Sequence, residues 1–145
     1  MENNPYLIDG GKHEDERGEL QFVNKFGFEN IKRFYVIKHS DQEIVRAWQG
    51  HRYETKYFFC LSGGFSIKLL RIDNWTDPSK DLEVIGYSLN EGDVKILVVP
   101  PGFANGFKAM SPGSSLLVYS DKTVDESRKD DYRYDMNQWF NWNSL

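Results

Sequence analysis

The sequence predicts an all-β sandwich or barrel, and three observations carry that reading. Short apolar runs recur along the chain, each closed by a turn signal such as Asp9-Gly10-Gly11, Ser62-Gly63-Gly64 or Pro100-Pro101-Gly102. Phe, Tyr and Trp make up 15% of the residues, a supply that suits pleated, half-buried surfaces. Helical periodicity is almost absent.

Taken in order, residues 1–14 read as an N-terminal arm containing the Asp9-Gly10-Gly11 turn, followed by a charged corner that runs through Arg17 to Gly18. Leu20–Val23 is a strand, residues 26–30 a connection, and Ile31–Ile37 a strand rich in β-branched and aromatic side chains. Residues 38–43 are a polar turn. The stretch from Arg46 to Gly64 comes next, then a half-buried strand over Phe65–Ile72 and a loop over residues 73–81. Leu82–Leu89 and Lys95–Val99 are strands, the latter stopped by Pro100-Pro101-Gly102. Phe103–Met110 and Ser115–Ser120 are two more. Residues 121–131 are charged and hold a short helix, and the aromatic tail, Tyr132–Trp142, packs back on the sheet within the segment 121–145.

Bulk properties narrow the function. A chain of 145 residues without a linker, repeat or low-complexity segment forms one domain with a real core. The net charge of −4, with both signs interspersed, offers no basic stripe for nucleic acid. The single cysteine, Cys60, lies in an apolar run, allows no internal disulfide and reads as a small buried hydrophobe. No stretch has the length of a membrane span or the pattern of a signal peptide, so a cytoplasmic protein with no membrane partner is expected.

The chain is organised around residues 46–64. In a strand there, Gln49, His51 and Tyr53 share one face, and Trp48, Gly50 and Arg52 the other. Polar groups that converge inside an aromatic-rich sheet point to a small-molecule pocket.

These residues carry a resemblance. Gln49-x-His51 with Glu54 and Gly63, then Gly92, Pro100-x-Gly102 and Asn105, resemble the two motifs of the cupin superfamily. Within it, residues 15–20 (DERGEL), 31–37 (IKRFYVI) and 46–51 (RAWQGH) resemble the sugar 3,4-ketoisomerases that act on dTDP-4-keto-6-deoxyhexoses. Residues 100–107 (PPGFANGF) resemble the second motif of the 3,5-epimerases. The likeness runs from about Asp15 to Trp139 and implies a single cupin jelly roll.

Departures from the pattern are informative. Cupin metal sites use three imidazoles and a carboxylate, whereas Gln49 and Asn105 stand at two of the four positions here. Amides are poor ligands for first-row transition metals, so the site reads as metal-free, and the resemblance implies no cofactor. The ketoisomerases and epimerases usually have histidine where Gln49 stands. Glutamine has no base at neutral pH and can only orient an oxygen through its amide. If the first histidine is the family's base, this chain is inactive or altered; if the second, His51 survives, and we favour the second.

Moving a ketone from C4 to C3 takes one base near both carbons, and neutral His51 has a suitable pKa. A structural histidine is the competing reading. Tyr35 and Tyr119 are placed to bond the sugar or pass protons between its oxygens. Arg17 and Arg46 are candidates for the diphosphate, which guanidinium grips with paired hydrogen bonds, and Arg33 extends the pocket beside Tyr35. Asn105 is placed for a sugar oxygen, Lys56 for the enolate, and Trp48 for stacking on thymine, with core packing as the alternative for the indole. Epimerisation also needs an acid on the opposite ring face, and by register that position falls near Val124, which has no proton to give.

The leading expectation is therefore a ketoisomerase that supplies precursors of unusual deoxy and amino sugars for surface glycans. An epimerase at C3 or C5 of the same substrate, or a non-catalytic binder of nucleotide sugars or glycans, remains as an alternative. The resemblance further implies a homodimer in which N-terminal strands cross and bring Arg17 toward a neighbour's site.

Overall fold

In the computed structural model, residues 3–145 are described; Met1 and Glu2, which begin the expected arm, lie outside the described residues. The strands are β1 (Tyr6–Asp9), β2 (Gly11–Asp15), β3 (Gly18–Phe22), β4 (Arg33–Lys38), β5 (Val45–His51) and β6 (Lys56–Ser62). They continue as β7 (Gly64–Arg71), β8 (Ile85–Asn90), β9 (Lys95–Val99), β10 (Phe103–Ala109), β11 (Ser115–Ser120) and β12 (Tyr132–Arg133). One five-stranded sheet runs β1-β9-β6-β11-β4 and faces another ordered β12-β5-β10-β7-β8, while β2 and β3 form a hairpin. The pairings are antiparallel, as a jelly-roll sandwich requires. The all-β cupin fold is as expected.

The core is what period-two alternation produces when two sheets face each other. Phe58 and Cys60 of β6, Leu97 and Val99 of β9, and Leu116 and Val118 of β11 meet Phe65, Ile67 and Leu69 of β7 and Phe103 and Phe107 of β10. Cys60 is a buried hydrophobe, and burial above all pushes its thiol up to about 11. Each sheet also buries part of its outer face. Phe26, Ile96 and Val98 cluster behind the first, and Trp48, Leu70, Ala104 and Trp142 behind the second, where the aromatic tail packs.

The short helix in the charged segment is α1 (Val124–Arg128). Its capping box is complete: Thr123 accepts from the backbone of Glu126, whose carboxylate accepts from the backbone of Thr123.

Several boundaries differ from the sequence expectation: the arm and charged corner carry β1 and the β2–β3 hairpin, and β4 begins at Arg33 rather than Ile31. The strand expected from Leu82 begins at Ile85, because Leu82 and Val84 pack toward the tail cluster. The central stretch is two strands, broken at residues 52–55, so Tyr53 sits in a turn and is exposed. Asp130 pins that turn. Its carboxylate accepts from the backbone N–H groups of Arg52, Tyr53 and Glu54 at 2.7, 2.9 and 3.0 Å. His51 and Lys56 are thereby fixed at the two ends of one rigid turn.

Candidate active site

A cavity of about 720 Å³ opens between the sheets, lined by Arg33, Tyr35, Arg46, Gln49, Lys56, Asn105 and Arg133 among others. Lys38 adds another cation to this wall, and among the described residues no carboxylate lines it. The field inside favours an anion.

Strand parity alone would put Arg46 on the far face from Gln49. The pairing of β5 with β10 shows why it is not there. Asn105 lies opposite Gln49, yet Phe107 lies opposite Arg46, so β5 carries an extra residue across this interval. That bulge restores Arg46 to the cavity side. Its Nε donates to Nε2 of buried His39 at 3.2 Å, and the His39 imidazole stacks on Phe107. Burial first, then the charge of Arg46, holds the His39 pKa below its ordinary value, so the ring is the neutral acceptor this bond needs.

Gln49 sits in a continuous polar chain. Lys56 Nζ donates to Gln49 Oε1 at 2.8 Å, Gln49 Nε2 donates to Asp131 Oδ1 at 3.0 Å, and Arg133 Nε donates to the same oxygen at 2.7 Å. Burial pushes the Asp131 carboxyl up, but the bonds from Arg133 and Gln49 outweigh it and hold the pKa below the usual range. A carboxylate only accepts, so the orientation of the Gln49 amide is fixed. Lys56 is itself buried, and desolvation, opposed by Glu54 and reinforced by Arg33 and Arg133, brings its ammonium down to about 8.

His51 lies just beyond this wall, at the end of β5, and is 3% exposed. Its Nδ1 is 2.6 Å from the Asp130 carbonyl oxygen, which only accepts, so Nδ1 carries the hydrogen and Nε2 the lone pair. Nε2 is buried with no hydrogen-bond partner among the described residues. Desolvation first, then Lys56, lowers the His51 pKa, while Glu54 and Asp130 oppose the shift. Behind it stands Glu54, 1% exposed, with Arg33 Nη2 at 3.7 Å and His51 Nδ1 at 3.9 Å. The arrangement is that of a neutral imidazole with a free lone pair.

Tyr35 lines the cavity under Arg33, whose guanidinium lies 5.0 Å from the ring centroid. Burial first, then the Glu54 charge, pushes the Tyr35 phenol up to about 12.

The other predicted residues lie elsewhere. Tyr119 pairs opposite Phe34, and Tyr35 opposite Val118, so the two tyrosines face opposite sides of one sheet. Tyr119 is packed with Phe26 and Phe28 on the outer face and does not line the cavity. Trp48 borders the cavity, but its indole is 1% exposed among Trp139 and Trp142 and donates to the Gln138 carbonyl at 2.8 Å, so it offers no face for stacking. Arg17 sits at the tip of the β2–β3 hairpin, bonded to Asp15 at 2.6 Å, away from this cavity. Val124 is the first residue of α1 and is 46% exposed.

Among the described residues, no three His, Cys, Asp or Glu side chains gather to hold a metal ion. The four positions that ligate metal in cupins carry a donor set unsuited to one: Lys56 and Asp131 engage the Gln49 amide, and the fourth position is the amide of Asn105. Sequence reasoning missed Asp130, Asp131 and Arg133, which arrive on the tail because β12 pairs with β5, Tyr132 opposite Gly50 and Arg133 opposite Gln49.

The fold is that of the cupin dTDP-sugar isomerase family. The chain belongs to the family described as FdtA: WxcM-like, C-terminal, whose model matches residues 3–144. No curated protein sequence matches it. Among solved structures it is similar to the 3,4-ketoisomerase QdtA of Thermoanaerobacterium thermosaccharolyticum, a histidine-to-asparagine mutant in complex with TDP-4-keto-6-deoxyglucose. The identity is 26%, over 92% of this chain and 90% of that one, with a TM-score of 0.72. The dTDP-4-dehydrorhamnose 3,5-epimerase of Bacillus anthracis, with TDP and pyrophosphate bound, shares the fold at 19% identity, over 98% and 88% of the two chains, with a TM-score of 0.76. The WlaRB TDP-quinovose 3,4-ketoisomerase of Campylobacter jejuni shares it at 21% identity, over 90% and 93%, with a TM-score of 0.68. Among the described residues, no helix is long and apolar enough to cross a membrane.

Proposed function

We propose that this protein is a dTDP-4-keto-6-deoxyhexose 3,4-ketoisomerase, acting without a metal in the biosynthesis of unusual deoxy and amino sugars for surface glycans. The observation that carries the reading is a neutral His51 with an unpartnered Nε2 beside a cavity walled by Arg33, Lys38, Arg46, Lys56 and Arg133. The ligand seen in the QdtA complex, a sugar on a nucleoside diphosphate, fits that charge.

In this reading Arg46 and Arg33 hold the diphosphate, and Asn105 bonds a sugar oxygen. His51 takes the C3 proton, exchanges it with solvent, and delivers a proton to C4 on the same ring face. Tyr35 keeps its proton and orients the sugar through its hydroxyl. Gln49 positions Lys56. The protein works as a cytoplasmic homodimer, and Arg17 on its hairpin faces the neighbouring subunit. The epimerase reading is the alternative; by sequence register its opposite-face acid falls near Val124, which has no proton to give.

The test is proton NMR of the protein with dTDP-4-keto-6-deoxyglucose in deuterated water. A ketone at C3 with deuterium at C4 supports the ketoisomerase. Deuterium at C3 or C5 with the ketone still at C4 supports an epimerase. A substrate that binds without exchange supports a binding protein.

A further inference from the structure

The ketone shift moves two protons, one between carbons and one between oxygens, and the site has two buried nitrogen groups of different kinds to serve them. Lys56 lies on the cavity wall, 4% exposed, and the hydrogen bond it makes is to Gln49 Oε1. Asp131 and Arg133 fix that amide, so the remaining valences of Nζ are available to the cavity. We propose that Lys56 is a catalytic residue that carries the oxygen-bound proton of the isomerisation, with Gln49 as its positioning residue. This rests on the ketoisomerase reading and deepens it.

The step balances without an oxidant. His51 removes the C3 proton; the C–H electron pair becomes the C3–C4 double bond, and the carbonyl pair moves onto the C4 oxygen, which takes a proton from the Lys56 ammonium. The resulting amine then takes the proton of the C3 hydroxyl. The C3 oxygen forms the new carbonyl, the double-bond pair takes a proton at C4 from the His51 imidazolium, whose N–H exchanges with solvent, and both side chains end as they began.

Tyr35, another proton carrier on the wall, is ill suited to this exchange because its phenol is pushed up to about 12. Lys56, brought to about 8, can give and regain a proton near neutrality. The charged groups that set this balance are Arg33 on β4, Glu54 in the turn, and Asp131 and Arg133 on the tail, while His51 on β5 feels the ammonium in turn and Tyr35, Lys38 and Arg46 share the cavity wall.

The experiment compares wild type with Lys56→Arg on dTDP-4-keto-6-deoxyglucose in deuterated water, following ketone transfer and deuterium at C3 of recovered substrate. Arginine keeps the charge, so the enediolate still forms, but it does not release its proton. Ketone transfer is expected to fall by about 100-fold, the worth of a positioned proton carrier, while exchange at C3 persists. Transfer at the wild-type rate, or parallel loss of transfer and exchange, would overturn the role of Lys56 alone. Absence of any exchange or transfer in wild type would overturn the ketoisomerase reading and this inference with it. Wild type supplies a second check should the variant not fold: kcat is expected to fall as pH rises through about 8, where the ammonium is lost. A flat profile there would overturn the proposal.

Discussion

Arg46 donates its Nε to Nε2 of His39 across 3.2 Å, and this bond exists only while the imidazole is neutral. Protonation would replace the acceptor with a donor and set two cations against each other. Burial and Arg46 hold the folded pKa of His39 below its ordinary 6.5. The stability this group contributes is therefore full above about 6.5 and is lost as pH falls from there toward the folded pKa. KM for the nucleotide sugar is expected to rise lower still, as pH falls through the folded pKa itself, where the imidazole of the native site takes its proton. His39→Gln, which accepts but does not titrate, should remove that acid dependence. His39→Leu should raise KM about tenfold at neutral pH, the worth of one hydrogen bond to a charged group.

His51→Asn should lower kcat by about 100-fold or more, the usual worth of a general base, with little change in KM. Single-turnover kinetics and isothermal titration separate the two effects. A variant that keeps full turnover would remove His51 from the mechanism.

Asp130→Ala should lower unfolding stability by about 3 kcal/mol, because three backbone N–H groups lose one carboxylate. Asp130→Asn keeps an oxygen acceptor and should lose less. The Asp130 carbonyl that orients His51 remains in both, so urea melts should respond more than the His51 tautomer seen by nitrogen NMR.

Arg133→Ala should raise KM about tenfold and weaken its dependence on ionic strength, since one wall cation is removed. Initial rates at low and high salt check this.

Much of the fold was legible because alternation and turn residues are local signals. Tyr35 was placed in the site by its strand, and Asn105 by the rigid turn before it. Tyr119 could have been placed by the same rule: Leu116 and Val118 are the buried positions of β11, which sends Tyr119 to the other side. Arg46 was less legible, because the bulge that turns it inward is a property of the pairing between two strands. The contributions of Asp130, Asp131 and Arg133 were invisible, because local pattern says nothing about a contact between residues such as Gln49 and Asp131, 82 positions apart.

The backbone ladder that brings those tail residues to the site runs only from Tyr132 to Tyr134, where Tyr134 and Trp48 exchange both backbone bonds at 3.2 Å, and the tail is otherwise held by the Asp130 carboxylate in its turn and by the packing of Tyr134, Trp139, Phe140 and Trp142. So short a ladder opens locally at a lower free energy than the whole sandwich. Each opening frees the Gln49 amide to turn and leaves Lys56 without a fixed partner. On warming, catalysis should therefore fade while the circular dichroism of the strands is still intact, and amide exchange at residues 130–134 should outpace that of β6 and β7.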